Sequence, residues 1–211
     1  MGRNTGPVCR YCRADKRKLY LKGERCNSAK CPVNKKRGLP GKDPRARTKK
    51  MSDYGLQLRE KQKLKRMYGM YEKQFHIFFE KADRKTGKTG DNLITMLESR
   101  LDNIVYRMRF ASSRNQARQL VLHGHVTVNG KKVTIPSYIT KAEDVIELSE
   151  NGKKLTVVKE SLKEFTRSGV YPWLEVDPDS MKGTIKTLPG RNDVTDLEDI
   201  KEQFIVELYS R

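Results

Sequence analysis

The 211-residue sequence predicts an α+β protein, and three observations support that fold class. Between residues 52 and 124, apolar side chains recur at the spacing of helices that bury one face. The segment HVTVNGKKVTI then alternates apolar and polar residues around Asn129-Gly130, the pattern of a tight β-hairpin. Further short β-like segments follow as far as residue 189. We therefore expect helices first and a small antiparallel sheet after them.

The first two helices are predicted between residues 52 and 83. Ser52 is a candidate N-cap for a helix through LQLREKQKLKRMY, and Gly69 is expected to end that helix. The second helix is predicted from an apolar stripe formed by Tyr71, Phe75, Phe78, Phe79 and Ala82. We expect this aromatic stripe to lie in the core, with base stacking as the alternative.

Two more helices are predicted before the hairpin. The third helix carries one apolar arc of about 120°, formed by Leu93, Ile94, Leu97, Leu101, Ile104, Val105 and Met108. The fourth helix lies in RNQARQLVLHG, where Ser112 or Ser113 can cap the start and Gly124 can end it.

The strands are predicted from alternation and turn residues. In the hairpin, Val126 and Val128 are expected to face Val133 and Ile135. Further strands are expected at 144–149, 173–176 and 183–189, with a helix in KLTVVKESLKEF between the first two. Near the end, Thr195 and Glu198 have the spacing of a capping box. The helix expected there would present Leu197, Ile200, Phe204 and Leu208 on one face.

The charge of the chain indicates a nucleic-acid partner. The formal net charge is +19, from 45 Lys and Arg against 26 Asp and Glu. Residues 1–50 hold 17 basic and 3 acidic side chains, whereas residues 151–211 hold 10 and 11. We therefore expect the binding face toward the front of the chain. Surface solubilisation and binding to anionic lipid are the alternatives, but residues 1–50 contain no Phe or Trp to insert into a membrane.

The sequence contains no membrane-spanning or secretory segment. No apolar run approaches the ~20 residues that cross a bilayer, and the start, MGRNTGPVCR, lacks the apolar region of a signal peptide. We therefore expect a cytoplasmic protein without a membrane partner.

The four cysteines all lie within residues 9–31. Cys9, Cys12, Cys26 and Cys31 have the spacing C-x2-C-x13-C-x4-C, which suits tetrahedral metal binding by two close pairs of thiolates. We predict a small metal knuckle there, with zinc preferred and an iron–sulfur cluster left open. Two disulfides or four inert thiols are the alternative, which a cytosolic setting disfavours.

No arrangement of residues predicts catalysis. GKT at residues 87–89 resembles the end of a phosphate-binding loop, but Ala82 stands where that loop needs glycine and a helix precedes it. No Ser, Cys or Lys nucleophile has a recognisable catalytic setting. We therefore expect neither an enzyme nor a small-molecule substrate.

Most of the chain resembles one family of RNA-binding proteins. The segment DNLITMLESRLDNIVYRMRFASSRNQARQLVLHGHVTVNGKKVTIPSYITKAEDVIEL resembles the RNA-binding module named after ribosomal small-subunit protein four. SDYGLQLREKQKLKRMYG and the terminal FIVELYSR are similar to the bacterial members of that family.

The resemblance implies the function of a structural ribosomal protein. It implies that the chain binds small-subunit ribosomal RNA early, nucleates assembly of the subunit body, neighbours ribosomal protein five and influences translational accuracy. It also implies a contact with messenger RNA, where the mRNA enters, by Arg47, Lys49 and Lys50. Many relatives lack the cysteines, so the chain resembles the metal-binding variety of the family.

Charge and resemblance together predict three regions and one set of RNA-binding residues. The regions are a four-cysteine knuckle with a basic tether (1–50), a helical domain (51–90, rejoined by a helix at 196–210) and an RNA-binding module of two helices, a hairpin and an antiparallel sheet (91–195). The predicted RNA-binding residues are Arg3, Arg10, Arg13, Arg17, Lys22, Arg25, Lys35, Lys36, Arg37, Arg45, Arg47, Lys49, Lys50, Arg59, Lys63, Arg66, Arg100, Arg107, Ser113, Arg114, Gln116, Arg118, Gln119, His123, Asn129 and Lys131.

Within that set, Arg114 and Arg118 lie one helical turn apart and could hold a phosphate between them, although a solvated face is equally consistent with their charge. The rival functions are an enzyme that carries the same small module and a zinc-dependent nucleic-acid-binding regulator. The regulator would need a recognition helix after its metal ligands, where this sequence has a tether rich in Pro and Gly.

Overall fold

The computed structural model describes residues 6–41, 43, 50–163 and 171–210, and their architecture confirms the predicted α+β class. The helices are α1 (Cys9–Ala14), α2 (Asp53–Met67), α3 (Glu72–Asp83), α4 (Thr89–Glu98), α5 (Leu101–Arg107), α6 (Arg114–Leu122), α7 (Glu150–Lys153), α8 (Thr156–Lys163) and α9 (Glu202–Tyr209). Short 3-10 turns lie at Gly23–Cys26, Arg191–Asp193 and Thr195–Leu197. The strands are β1 (Val126–Val128), β2 (Lys131–Lys132), β3 (Val145–Leu148), β4 (Leu174–Asp177) and β5 (Lys182–Ile185).

The chain divides into two compact units. The described residues of Met1–Asn92 and Asp199–Arg211 form the first unit, and Leu93–Glu198 form the second. The three regions expected from the sequence, with a boundary after residue 50, stay a prediction. In the described ranges, no helix has the length and apolar character needed to cross a membrane.

In the first unit, the predicted signals at the ends of α2 are present. The Ser52 hydroxyl accepts a hydrogen bond from the Gly55 amide at 3.2 Å, which satisfies one of the free N–H groups at the start of α2. Gly69 follows the helix with a φ of +63°, a conformation that glycine adopts without steric cost.

The aromatic stripe of α3 forms the core of the first unit, as predicted. The side chains of Phe75, Phe78, Phe79 and Ala82 are buried. The ring of Tyr209 in α9 lies 4.5 Å from the ring of Phe79, so the closing helix covers this stripe. Tyr71, which the prediction included in the stripe, precedes α3 and is exposed.

The second unit contains a five-stranded antiparallel sheet in the order β2-β1-β3-β5-β4. The predicted hairpin is confirmed: Asn129 and Gly130 have φ angles of +50° and +76°, as a type I′ turn requires. The core lies between this sheet and helices α5, α6 and α8, and it includes Val105, Val121 and Trp173.

Four elements differ from their predictions, and one of them is the strand expected at 183–189, since β5 already ends at Ile185. The predicted third helix is divided into α4 and α5 by Arg100, whose backbone is extended and pairs with Ile139. The Leu101 amide donates to the Tyr138 carbonyl at 2.8 Å, so the loop after the hairpin provides the partner that a continuous helix would have supplied. The apolar arc is still buried on both helices.

The hairpin and the closing helix are shorter than predicted. Strand β2 contains only Lys131–Lys132, and Ile135 is 53% exposed instead of facing β1. Thr195 and Glu198 do not form the expected capping box, because Thr195–Leu197 is a 3-10 turn and α9 begins at Glu202. Buried Ile205 on α9 takes the place expected for Phe204.

Candidate nucleic-acid interface

Two groups of basic side chains in the first unit differ in their partners, and those of α2 are already neutralised. Asp15, whose side chain is only 2% exposed, forms one ion pair with Arg66 at 3.3 Å and another with Arg59 at 4.0 Å. Burial raises the pKa of this carboxyl, and the two guanidinium groups oppose that rise. Lys63 pairs with Glu60 on the same helix. These predicted RNA-binding residues therefore have internal partners.

A second neutralised cluster is built around Glu72 at the start of α3. Lys61 donates to Glu72 Oε1 at 2.5 Å, Lys65 donates to Oε2 at 2.7 Å, and the Tyr209 hydroxyl donates to Oε1 at 3.0 Å. Burial opposes ionisation, but the three hydrogen bonds outweigh it and lower the pKa of Glu72 to about 2. The cluster ties α2, α3 and α9 together.

The cations of residues 6–41 form the second group, and most of them have no acidic partner in the described ranges. Across the part of the chain that the structure describes, no carboxylate lies within 4 Å of Arg10, Arg13, Lys16, Lys18, Lys22, Arg25, Lys30, Lys35, Lys36 or Arg37. Arg17 is the exception, since it pairs with Asp199 at 3.4 Å. We call the other ten side chains the front cation group. A group of this kind attracts a polyanion because its own repulsion is uncompensated.

In the second unit, an ion-pair network is enclosed around Glu98 and Arg107. Arg107 donates to both carboxylate oxygens of Glu98 at 2.8 Å, and its remaining nitrogen donates to Asp196 at 2.6 Å. Asn103 donates to Glu98 at 2.8 Å and accepts from Arg114 at 2.8 Å. Arg107 is 1% exposed and Arg114 is 8% exposed, so this network belongs to the interior.

A smaller buried network surrounds Asp102. Arg100 donates to its two oxygens at 3.0 and 2.7 Å, and Arg118 donates to Oδ2 at 3.3 Å. Arg114 and Arg118 therefore each face an amide or a carboxylate inside the unit. The burial of Arg100, Arg107, Arg114 and Arg118 does not favour direct RNA contact, and their assignment stays a prediction.

The exposed edge of the second unit runs from α6 into the hairpin. Ser113 caps α6 by accepting from the Gln116 amide at 3.4 Å, and Gln116 itself accepts from Ser112 at 2.7 Å. Beyond them the edge presents Gln119, His123, Lys131 and Lys132 to solvent. Asn129 is exposed but its amide group is used internally, because it donates to Asp144 and accepts from the Val145 amide, both at 2.9 Å.

The four cysteines are free thiols that influence one another. Cys12, Cys26 and Cys31 are buried and Cys9 is half-buried. Burial raises the pKa of the Cys12 thiol, a hydrogen bond from the Leu19 amide opposes this, and the other three cysteines add to the rise. The Lys22 amide donates to Cys26 Sγ at 3.4 Å. In the described ranges, no group of three or more His, Cys, Asp or Glu side chains is arranged to hold a metal ion.

The predicted site residues are therefore placed very differently from one another. Exposed ones are Arg10, Lys22, Arg25, Lys35, Lys36, Arg37, Lys50, Gln119, His123, Asn129 and Lys131. Half-buried ones are Arg13, Arg17, Arg59, Lys63, Arg66 and Gln116. Buried ones are Arg100, Arg107, Ser113, Arg114 and Arg118. Arg3, Arg45, Arg47 and Lys49 lie outside the described residues.

Sequence reasoning missed the two carboxylates that organise the second unit. Glu98 and Asp102 flank the apolar arc of the third predicted helix. They lie next to Arg100 and Arg107, which the sequence predicts to bind RNA. Charges of both signs at the border of an apolar arc are the signal that could have identified them, because buried charges are paired.

Comparison with known proteins gives consistent similarities over the whole chain. A family model described as "Ribosomal protein S4/S9 N-terminal domain" matches residues 3–98, and one described as "S4 domain" matches residues 99–146. The chain is 55% identical to the small ribosomal subunit protein uS4 of Geotalea uraniireducens over all 211 residues of both. It is 54% identical over the same full length to proteins of that name from Geotalea daltonii and Desulforapulum autotrophicum.

Proposed function

We propose, from the premise that this chain belongs to the uS4 family of small ribosomal subunit proteins, that it binds small-subunit ribosomal RNA as a structural protein of that subunit. The observation that carries the proposal is the front cation group, which has no acidic partner among the described residues. RNA phosphates are the partner that such a group fits best.

The mechanism is electrostatic and depends on shape. The front cation group provides phosphate contacts that fix the position of the protein on the RNA. The exposed edge from α6 to the hairpin adds hydrogen-bonding side chains, namely Gln119, His123 and Lys131. Folded RNA provides the specificity, since double-stranded RNA is recognised mostly by its shape and its backbone. The buried networks around Glu98 and Asp102 hold that edge in a fixed form.

The two rival functions are not favoured. A family of ribosomal proteins is not a family of enzymes, and both family models are accounted for without a catalytic domain. A zinc-dependent regulator would need a recognition helix after its last metal ligand. Residues 32–41, which follow Cys31, form turns and no helix.

We extend the proposal to partners that rest on family resemblance. The protein would act in the bacterial cytoplasm within the small subunit, nucleate assembly of the subunit body, neighbour ribosomal protein five and influence translational accuracy. Lys50, with Arg47 and Lys49, would contact incoming messenger RNA. A photoreactive group placed at Lys50 in subunits bound to messenger RNA tests this contact. Crosslinks that form to ribosomal RNA and none to messenger RNA would refute it.

We also propose that Cys9, Cys12, Cys26 and Cys31 hold a zinc ion. The donor set supports this: four thiols share one short segment, three of them are buried, and the other three each raise the pKa of Cys12. Zinc bound there would provide the folding energy that a small, highly charged segment lacks. Metal analysis of protein purified without chelators should give about one zinc per chain. Iron together with labile sulfide would instead show that the cysteines hold an iron–sulfur cluster, and the zinc proposal would fail.

The affinity of the protein for three nucleic acids, measured across a salt series, tests the main proposal. Small-subunit ribosomal RNA should bind tighter than arbitrary RNA or duplex DNA by at least about a thousandfold. Affinity for all three should fall steeply with salt. Equal affinity for the three would remove the ribosomal assignment and leave only a non-specific polyanion binder.

A further inference from the structure

Part of the front cation group surrounds a concavity in the first unit. The concavity measures about 260 Å³ and lies between the turn after α1 and the turns that follow Cys31. Its walls are formed by Arg13, Lys16, Val33, Lys36, Arg37, Gly38 and Leu39. Four of these seven residues are cations, and none is acidic.

The charge of these four cations is uncompensated. No carboxylate among the described residues lies within 4 Å of Arg13, Lys16, Lys36 or Arg37. Asp15 is next to Lys16 in the sequence, but its carboxylate is 2% exposed and is occupied by Arg66. Like charges around one small space repel each other, so an anion in that space would stabilise the arrangement.

The walls are also held in place before any ligand binds. Lys16 and Lys36 have φ angles of +52° and +49°, a left-handed conformation that is unfavourable for a residue with a Cβ atom. The Lys36 amide donates to the Val33 carbonyl at 2.9 Å, which fixes that turn. Arg13 Nε donates to the Gly38 carbonyl at 2.8 Å and holds the guanidinium at the wall.

We infer that the concavity receives one unpaired nucleotide of the ribosomal RNA, an inference that rests on the proposed function. The four cations would contact the phosphates on either side of the nucleotide. Val33 and Leu39, which are half-buried, would contact its base. The concavity of about 260 Å³ is several times larger than the ~30 Å³ that one water molecule occupies in the liquid, so it has room for more than a bare phosphate.

The position of the concavity favours RNA over a free small anion. Arg10 and Lys35, two further exposed members of the front cation group, are close in sequence to its wall residues. A single strand leaving the concavity would therefore continue over more positive charge. Basic channels that follow a backbone, combined with contacts to the faces of bases, are the usual way of binding unpaired nucleotides.

Two pairs of substitutions separate the phosphate contacts from the base contact. Lys16→Gly with Lys36→Gly removes two cations, and glycine relieves the left-handed strain, so the turns are preserved. Val33→Ala with Leu39→Ala removes the apolar contacts and keeps the charge. The matched control is Lys73→Ala with Lys81→Ala, which removes the same charge from two exposed positions of α3, outside both the concavity and the front cation group.

The experiment uses the full chain, purified without chelators, and small-subunit ribosomal RNA. It maps ribose reactivity at every nucleotide, with and without protein. Wild type and the control should protect one unpaired nucleotide that both concavity variants leave reactive. Lys16→Gly/Lys36→Gly should also lower the slope of log affinity against log salt by about 2 relative to the control. Val33→Ala/Leu39→Ala should leave that slope unchanged.

The failures are distinguishable from one another. If wild type shows no preference for small-subunit RNA, the proposed function itself fails. If wild type binds selectively but both concavity variants behave as the control does, only the nucleotide inference fails. If the glycine variant loses protection while the alanine variant keeps it, phosphate binds there without a base, and the inference of a bound nucleotide is overturned.

Discussion

Glu98 and Arg107 form a bidentate ion pair in the interior of the second unit, with side chains that are 0% and 1% exposed. Burial opposes the charge on Arg107, but Glu98 outweighs it and holds the pKa of the guanidinium above its ordinary value. Tyr171 and Asp196 accept from the same guanidinium at 2.5 and 2.6 Å, so its charge is well solvated by the protein. Loss of one partner would leave the other charge buried without compensation.

Replacing Arg107 therefore tests the energetic role of the buried ion pair. Arg107→Met should lower the free energy of unfolding by about 3–5 kcal/mol, because Glu98 remains charged and buried. The double variant Glu98→Leu/Arg107→Met should cost less than the sum of the single changes. Urea denaturation measures all three, and Arg10→Met on the surface is the control. A loss below about 1 kcal/mol for Arg107→Met would contradict a buried pair.

Individual residues also show where sequence reasoning reaches its limit. Arg100 and Arg107 carry positive charge beside an apolar arc, and charge alone does not distinguish a ligand for phosphate from a ligand for a buried carboxylate. The distinction depends on which acidic side chain the fold brings near. For Arg100 that residue is Asp102, two positions away, whereas Arg107 also needs Asp196 from a distant part of the chain.

At the scale of elements, helices α2, α3 and α9 meet at Glu72. Lys61 and Lys65 reach it from α2, and Tyr209 reaches it from α9. Because these hydrogen bonds require the charged carboxylate, the contribution of Glu72 to stability depends on pH.

The Glu72 cluster predicts a specific acid dependence. The pKa of Glu72 falls from 4.5 to about 2 on folding, so its contribution is complete above pH 4.5 and is lost as the pH falls toward 2. Glu72→Gln should lower the free energy of unfolding at neutral pH by less than about 1 kcal/mol, since the side chain is 47% exposed. That difference should vanish near pH 2, as measured by urea unfolding across the pH range. Glu24→Gln on the surface is the control, and a difference that persists unchanged at pH 2 would refute the assignment.

The start of α2 gives a second element-scale prediction. Ser52→Ala removes the hydroxyl that accepts from the Gly55 amide and should cost about 1 kcal/mol. Ser52→Asp is the matched variant, because aspartate can accept the same hydrogen bond and should keep the stability. The unfolding free energy measures both, and equal losses for alanine and aspartate would show that the hydroxyl does not act as a cap.

Local signals made most elements predictable, and distant contacts made the rest unpredictable. Ser52, Ser113, Gly69 and Gly124 mark helix ends through hydrogen bonds and φ angles that their own segments determine. The break at Arg100 has a different cause, since the Tyr138 and Pro136 carbonyls accept the amides that begin α5. Those partners lie more than thirty residues away, and no periodicity within the helix reveals them.

At the scale of the whole molecule, positive charge is unequally neutralised. The cations of α2 and the buried arginines of the second unit have carboxylate partners, such as Asp15, Glu72, Glu98 and Asp102. The front cation group has none among the described residues. The sequence predicted the positive front from composition, but the structure was needed to show which cations are already paired.

The unequal neutralisation predicts unequal effects on RNA binding. Replacing Arg10, Lys22 and Lys35 with alanine should lower the slope of log affinity against log salt by up to about 3, near 0.9 for each phosphate that is no longer neutralised. The control replaces Lys153, Lys182 and Lys186 with alanine, which removes the same charge. These three lysines have acidic partners at 3.4, 3.0 and 3.6 Å. Filter binding with small-subunit RNA measures both, and equal slopes for the two triple variants would contradict the account.

Sedimentation of a cell extract tests whether the protein works as a structural part of the small ribosomal subunit. After a gradient in magnesium-containing buffer, the protein should be found in the small-subunit fractions and remain there through a moderate salt wash. Its presence only in the slowly sedimenting fractions, with intact small subunits that lack it, would contradict the claim.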